Sequence, residues 1–296
     1  MTTVPSIFMP AFGKIVELGH LDDFVWATLR GWGALPANRL VRRFVTVLHR
    51  DDDPEKTARR MADNLKSEET ELRLIEFANE QAEQDYPYLF SLVTVRLWAM
   101  VDAAVKEFLV EGVKQAGILP KPTVFSKLRA PLAPFIGADP NRQAELVAEA
   151  LLSSVEGQFA GVGRFEEALG RMGFPGELHS TTRDILTELA EARHCVVHRD
   201  AVVDSRLVSL CPWLGIKVGG QLPTTLERYW YYRTATYLYV LNLVLRWARW
   251  RKVPHTLLPF ESMERTVLEE LVVAWKDGKR ISASSEVTGD SSKVVT

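Results

Sequence analysis

The spacing of apolar residues constrains the fold of this chain more than any other feature of its sequence. Along most long segments apolar side chains recur every three or four residues, and the strict alternation that is typical of strands is scarce. The pattern is clearest from Pro87 to Lys114, where it predicts an apolar helix that ends before Gly117 and Pro120. We therefore predict an all-α protein in which any sheet is minor.

Helix start and stop signals suggest how the chain is divided. Asp53 and Pro54 supply a cap and a first-turn proline for a helix that reaches Gln84, and Pro87 interrupts it. The chain before this helix carries arginine and tryptophan in short elements, whereas the chain after it has the pattern of one continuous bundle. We predict an N-terminal helical extension, a helical domain and a disordered tail rich in Ser, Lys, Asp and Gly, over residues 1–84, 85–275 and 276–296 respectively.

Within the helical domain, four further helices are predicted after the one that begins at Pro87. Their expected ranges are 141–159, 180–197 with a start as early as 177, 223–251 and 261–275.

Charge and cysteine usage limit the classes of function. The formal net charge of −2 argues against a protein that coats nucleic acid through its overall charge, so any such contact must be local. The two cysteines, Cys195 and Cys211, do not form a secreted disulfide framework. The N-terminus lacks the pattern of a signal peptide, and the longest strongly apolar run is shorter than the roughly 20 residues of a membrane span. We expect a cytoplasmic protein with no membrane association.

The most informative stretch of the sequence runs from Glu191 to Asp204, where a predicted helix ends. Arg193 precedes His198 by five positions, and the polar His194 directly follows the arginine. At 3.6 residues per turn, residues five apart lie about 140° apart around a helix. The two side chains are therefore expected to converge only if the helix ends or distorts between them, or if two copies of the chain meet.

These residues resemble the motif of the HEPN superfamily, the small helical domains of many prokaryotic toxins, abortive-infection proteins and ribonucleases. In that motif four to six residues separate an arginine from a histidine, and Arg193 and His198 match both fixed positions. His194 takes the place after the arginine, where a polar residue is usual. The following residues, up to Asp204, resemble the V-H-x-x-G-x-V-D continuation of many members, with Ala201 where glycine is common. The resemblance covers about residues 87–250 and implies a HEPN-like helical bundle.

The resemblance also implies a function, which is metal-independent cleavage of RNA at a site shared by two protomers. RNA carries its own nucleophile, the 2′-hydroxyl, so the site needs a group that transfers protons near neutral pH and a cation for the phosphate oxygens. Histidine suits the first role and arginine the second. We expect an endoribonuclease of a toxin or phage-defence system, with His198 as general acid and base, Arg193 as phosphate stabiliser and His194 as substrate-orienting residue. RNA, a second copy of the chain and an antitoxin or regulatory protein are the expected partners.

Two alternatives remain open at this point. The chain could be a non-catalytic module that binds RNA, a nucleotide or a partner protein, or a structural helical protein with no HEPN relation. In a purely structural arrangement, Arg193 would pair with Glu191 or Asp204, and His198 would cap the carbonyl groups at the end of the helix.

Further basic and metal-binding residue types give weaker signals. Arg246, Arg249 and Arg251 alternate with tryptophans near the end of a predicted helix and, with Arg199, are candidate RNA contacts, although cations in a last turn also complement the helix dipole. His194 and His198 have a spacing that could bind zinc, but the glutamate of H-E-x-x-H is absent and no third ligand is evident. We expect no metal and no other cofactor.

Overall fold

The computed structural model of the chain describes residues 8–48, 70, 72–115, 128, 132–155, 157, 159–252 and 258–288. Most of these residues are helical, and within them extended pairing is limited to an isolated antiparallel bridge between Val202 and Gln221. The predicted all-α fold class is confirmed.

In chain order, the elements are α1 (Phe8–Leu48), α2 (72–83), α3 (Pro87–Gln115), α4 (Leu132–Ile136), α5 (Pro140–Ser153), α6 (Gly163–Arg171), α7 (Ser180–Arg199), α8 (Ser205–Leu210), a 3-10 turn (Pro212–Leu214), α9 (Leu226–Trp250) and α10 (Leu258–Thr288).

Three helices, α3, α7 and α9, form the centre of the bundle. Helix α3 packs against α5, α7 and α9, and α9 also packs against α1 and α10. The apolar positions that predict α3 face this core, and Leu97, Val101 and Val105 are completely buried. Helix α9 is buried along most of its length, so apolar area from nearly every side of the helix is removed from water.

The apolar character of α3 also meets the length and composition of a membrane-spanning helix. Half of its most apolar stretch is buried inside the bundle. A single helix of this kind is weak evidence for a membrane span, because the core helix of a soluble protein passes the same test.

The N-terminal region differs from the short elements predicted for it, because residues Phe8–Leu48 form one long helix. Leu18 and Val25 are buried in the same hydrophobic cluster as α3 and α9. Asp22 accepts a hydrogen bond from the hydroxyl of Tyr229 and pairs with Arg233 at 2.6 Å. These contacts fix α1 to α9. Of the helix predicted over 53–84, residues 72–83 are helical, and most of the remainder lies outside the described residues.

The last helix extends beyond the predicted range at both ends, from Leu258 to Thr288. It therefore includes the first part of the segment 276–296 for which disorder is predicted, and 289–296 lie outside the described residues. Leu271 and Trp275 fix α10 to the core, and a Cβ atom at Gly278 would lie 2.7 Å from the hydroxyl of Tyr231. This close approach to α9 extends the packing of α10 past Trp275.

Candidate active site

Helix α7 carries the Arg193 and His198 motif from the core to the surface. At its start, Nδ1 of His179 accepts a hydrogen bond from the backbone N–H of Thr181 and so caps the helix. Ile185, Leu186 and Leu189 are completely buried against the neighbouring helices. The first three turns of α7 thus belong to the core, and its last two turns become progressively exposed.

A buried carboxylate fixes the core side of α7. Glu188 has no exposed surface, and its oxygens accept hydrogen bonds from Trp213 Nε1 at 2.5 Å, Arg228 Nη1 at 3.1 Å and the Tyr232 hydroxyl at 2.9 Å. The guanidinium of Arg228 compensates the buried charge. Burial, together with the adjacent carboxylate, raises the pKa of Tyr232 well above its usual value, so that its hydroxyl remains a donor.

The end of α7 is a tight left-handed turn. Asp200 and Ala201 have φ angles of 52° and 59°, and the backbone N–H of Ala201 donates to the carbonyl oxygen of Cys195 at 3.1 Å. The carbonyl of Ala201 then accepts from Leu222 N–H at 2.9 Å. This φ region favours glycine, so the Cβ atoms of Asp200 and Ala201 make the turn strained.

Asp204 supports the exposed turn of α7 from the side. Its Oδ1 accepts from the backbone N–H of Leu207 at 2.8 Å and caps α8. Its Oδ2 lies 3.2 Å from Nε of Arg199 and 3.9 Å from Nε2 of His194. Both Arg199, a candidate RNA contact, and His194, the predicted orienting residue, are therefore next to a buried carboxylate.

Arg193 and His198 meet within one chain. Nη1 of Arg193 lies 3.4 Å from Nε2 of His198, although α7 is a continuous helix through Arg199. The expectation that they converge only at a helix break or between two copies is wrong, because the long arginine side chain crosses the angle between the two Cα positions. The rings of His194 and His198 also lie 4.9 Å apart.

No carboxylate of the described residues forms an ion pair with Arg193. Glu191 pairs instead with Arg206 at 2.9 Å, and Asp204 pairs with Arg199. The structural alternative in which Arg193 pairs with Glu191 or Asp204 is therefore wrong for this chain. The guanidinium of Arg193 is half-buried and keeps its positive charge available to a ligand.

A cavity of about 570 Å³ opens beside Arg193. Its walls come from α3, from the turn before α6, from α6 itself, from α7 and from α8. Sequence reasoning did not find this cavity, because its residues are far apart in the chain and have no common spacing. Its aromatic and charged lining consists of Trp98, Phe159, Arg164, Glu191, Arg193, His194 and Arg206.

The basic cluster near the end of α9 lies away from this site. Helices α7 and α9 pack antiparallel, since Glu188 contacts Arg228 near the start of α9, whereas Thr182 faces the same cavity as Arg249 near its end. At 1.5 Å per residue, the helix between Thr182 and His198 is about 24 Å long. Arg249, which pairs with Glu261, and the neighbouring Arg251 are thus separated from the motif.

The prediction that Arg246 contacts RNA is wrong, because the residue is buried. The residue is 3% exposed, its Nη2 donates to Glu166 at 2.6 Å and its Nε donates to Asn242 at 2.7 Å. It is a buried ion pair that joins α6 to α9, and it cannot reach RNA in this fold. Arg251 remains exposed, donates to Gln115 and lies over the ring of Trp250.

Two other kinds of chemistry receive no support from the arrangement of side chains. Among the described residues, no group of three or more His, Cys, Asp or Glu side chains is placed to hold a metal ion. Burial raises the pKa of the thiols of Cys195 and Cys211, which makes both poor nucleophiles.

The exposed end of α7 therefore combines an imidazole, which can transfer a proton, with a guanidinium, which can bind an anionic oxygen. The cavity next to this pair is large enough for a small ligand. Comparison of the chain with models of protein families, with curated proteins and with solved structures finds no match.

Proposed function

We propose that this protein is a metal-independent endoribonuclease of HEPN type, active in a toxin or phage-defence setting. The observation that carries the proposal is the contact of Arg193 Nη1 with His198 Nε2, 3.4 Å apart at the exposed end of α7. A cation and a proton-transfer group lie side by side there, and neither is committed to a structural ion pair among the described residues.

The reaction that suits this pair is transesterification. The 2′-oxygen of RNA attacks the adjacent phosphorus, and the bond from phosphorus to the 5′-oxygen of the next nucleotide breaks. The 2′-hydroxyl loses a proton to a base, and the departing 5′-oxygen gains a proton from an acid. His198 is the group that exchanges these protons, and Arg193 stabilises the charge that develops on the phosphate oxygens. The products are a 2′,3′-cyclic phosphate and a 5′-hydroxyl.

The contact between Arg193 and His198 is compatible with this exchange. Arginine can only donate, so this contact is a hydrogen bond in the tautomer whose Nε2 accepts and whose ring proton is on Nδ1. At 3.4 Å the bond is longer than the usual range, and replacing it with a bond from Arg193 to a phosphate costs little. When Arg193 moves to the phosphate, Nε2 becomes free to accept the proton of the 2′-hydroxyl.

The proposal includes a homodimer, in which two copies of this helix end form one cleft. Transesterification needs one proton removed and one supplied, and two copies of His198 can do both at once. The apolar side chain of Val197 is 44% exposed beside the motif and would be one contact of such an interface.

The test is cleavage of end-labelled single-stranded RNA by the purified protein in excess EDTA. We expect the wild type to cleave, and His198→Ala and Arg193→Ala to lose activity by about 100-fold or more, in line with the loss of a general acid-base group or a charge-stabilising donor. Matched controls are His20→Ala and Arg183→Ala, which replace exposed residues of the same types away from the motif and should keep full activity.

Loss of cleavage in EDTA, or equal cleavage by the wild type and both motif variants, would reject the mechanism. Retention of RNA by the wild type without any turnover would instead favour the non-catalytic binding module.

A further inference from the structure

The cavity beside Arg193 is more positively charged than the chain as a whole. Three guanidinium groups, those of Arg164, Arg193 and Arg206, line it with one carboxylate, that of Glu191, while the chain carries a formal net charge of −2. Arg206 neutralises Glu191, and Arg164 pairs with Asp102 outside the cavity at 3.2 Å. Arg193 therefore supplies an uncompensated positive charge, which favours an anionic ligand.

Aromatic rings form the apolar part of the same wall. One face of Trp98 is stacked on Phe165, with ring centroids 5.7 Å apart and an angle of 28° between the planes. Phe159, from the turn before α6, is 44% exposed at the cavity. An exposed ring in a concave cationic surface is the arrangement on which nucleic-acid bases stack.

The position of Phe159 is fixed by its neighbours in the turn. Gly161 has a φ of 53°, and a Cβ atom on it would lie 2.7 Å from Cα of Thr187 in α7. Only glycine permits the turn to lie this close to α7 in this conformation. The turn is thereby held against the motif helix, and Phe159 is held beside the cavity.

We propose that this cavity binds one nucleotide unit, with the base against Trp98 and Phe159 and the phosphate at Arg193. The volume of about 570 Å³ lies within the range of small-molecule sites. An aromatic base joined to a phosphate is found both in single-stranded RNA and in free mononucleotides. The choice of RNA rests on the proposed function, whereas the nucleotide chemistry rests on the cavity alone.

Arg193 links the cavity to the proposed catalytic pair, because it lines the cavity and also contacts His198. A phosphate held by Arg193 is therefore next to His198 when its base occupies the cavity. Since a base must leave a helix before it can enter such a site, the substrate is unpaired RNA.

The experiment measures binding by calorimetry, separately from cleavage. The probes are a short single-stranded RNA with 2′-O-methyl groups, which has no nucleophile and cannot be cleaved, the four nucleoside 5′-monophosphates, and ribose 5-phosphate, which has no base. The variants are Phe159→Ala and Phe159→Leu, with Phe24→Ala as control, because Phe24 is a phenylalanine 54% exposed on α1. Circular dichroism checks that each variant is folded.

We expect the RNA probe to bind the wild type and the Phe24→Ala variant equally. Both Phe159 variants should bind it about 5- to 100-fold more weakly, which corresponds to the loss of one stacked base, and ribose 5-phosphate should bind more weakly than any mononucleotide. Tighter binding of RNA than of mononucleotides identifies RNA as the source of the nucleotide, and equal binding identifies a free nucleotide.

The proposal is overturned if the wild type binds neither RNA nor mononucleotides, if ribose 5-phosphate binds as well as they do, or if folded Phe159 variants bind normally. Because the RNA probe is uncleavable, these outcomes are independent of catalysis. A protein that binds as expected but never cleaves natural RNA would refute the proposed function and leave the nucleotide site standing.

Discussion

Replacement of Ala201 by glycine tests whether the left-handed turn after α7 exists in solution. Ala201 has a φ of 59°, a conformation that costs a residue with a Cβ atom about 1 to 2 kcal/mol. Glycine removes this strain, but it adds about 0.5 to 1 kcal/mol of unfolded-state entropy. The half-buried methyl group contributes about 0.4 kcal/mol, half the value of a fully buried carbon. At the midpoints of these ranges, the balance is a stabilisation of about 0.4 kcal/mol.

The same substitution inside a helix should have the opposite effect on stability. Ala27 is exposed within α1, where Ala27→Gly should destabilise by about 0.5 to 1 kcal/mol. Urea unfolding of both variants, followed by circular dichroism, measures a difference that we expect to be about 1 to 1.5 kcal/mol in favour of Ala201→Gly. Equal destabilisation by the two substitutions would refute the positive φ at Ala201.

Two further predictions concern buried polar groups. Arg246→Ala should lower the free energy of unfolding by about 3 kcal/mol, because it leaves the carboxylate of Glu166 without its charged partner. Arg249→Ala removes an exposed ion pair with Glu261 and should change the free energy of unfolding by less than about 1 kcal/mol. Equal effects of the two substitutions in urea unfolding would contradict the buried position of Arg246. Burial, followed by the hydrogen bond to Glu227, raises the pKa of Tyr231 from 10 to about 12. The buried, protonated hydroxyl therefore contributes fully to the stability of the fold below pH 10, and this contribution is lost as the pH rises toward 12. Denaturant midpoints that do not fall across this interval would show that Tyr231 is not buried.

The sequence predicts a helix well where a single residue pattern determines the bounds of that helix. Helix α3 begins at Pro87 as predicted because proline starts a helix more easily than it continues one, and the apolar spacing after it has no competing period. The bounds of α7 and α9 lie within three residues of the predicted ones for the same reason. The long α1 was not predicted, since its stability comes from Leu18 and Val25 packing on distant helices.

In the candidate site too, the sequence predicts some features and misses others. The motif identifies Arg193 and His198 as a candidate pair, but their contact within one continuous helix was not predicted, because it depends on the reach of the arginine side chain. The burial of Arg246 could not be inferred, because residue spacing along α9 does not show how many other helices cover it. The aromatic wall of the cavity could not be inferred either, since Trp98 and Phe159 line the same cavity only after the chain has folded.

The hydrogen bonds to Glu188 have a consequence for how such a protein can be controlled. Any rotation or sliding of α7 would break bonds to three different side chains and leave a buried negative charge without a partner. Helix α7 is therefore held in one position relative to the core. Under the proposed function, regulation would act on access, through a molecule that covers the last turn of α7 or keeps two copies of the chain apart.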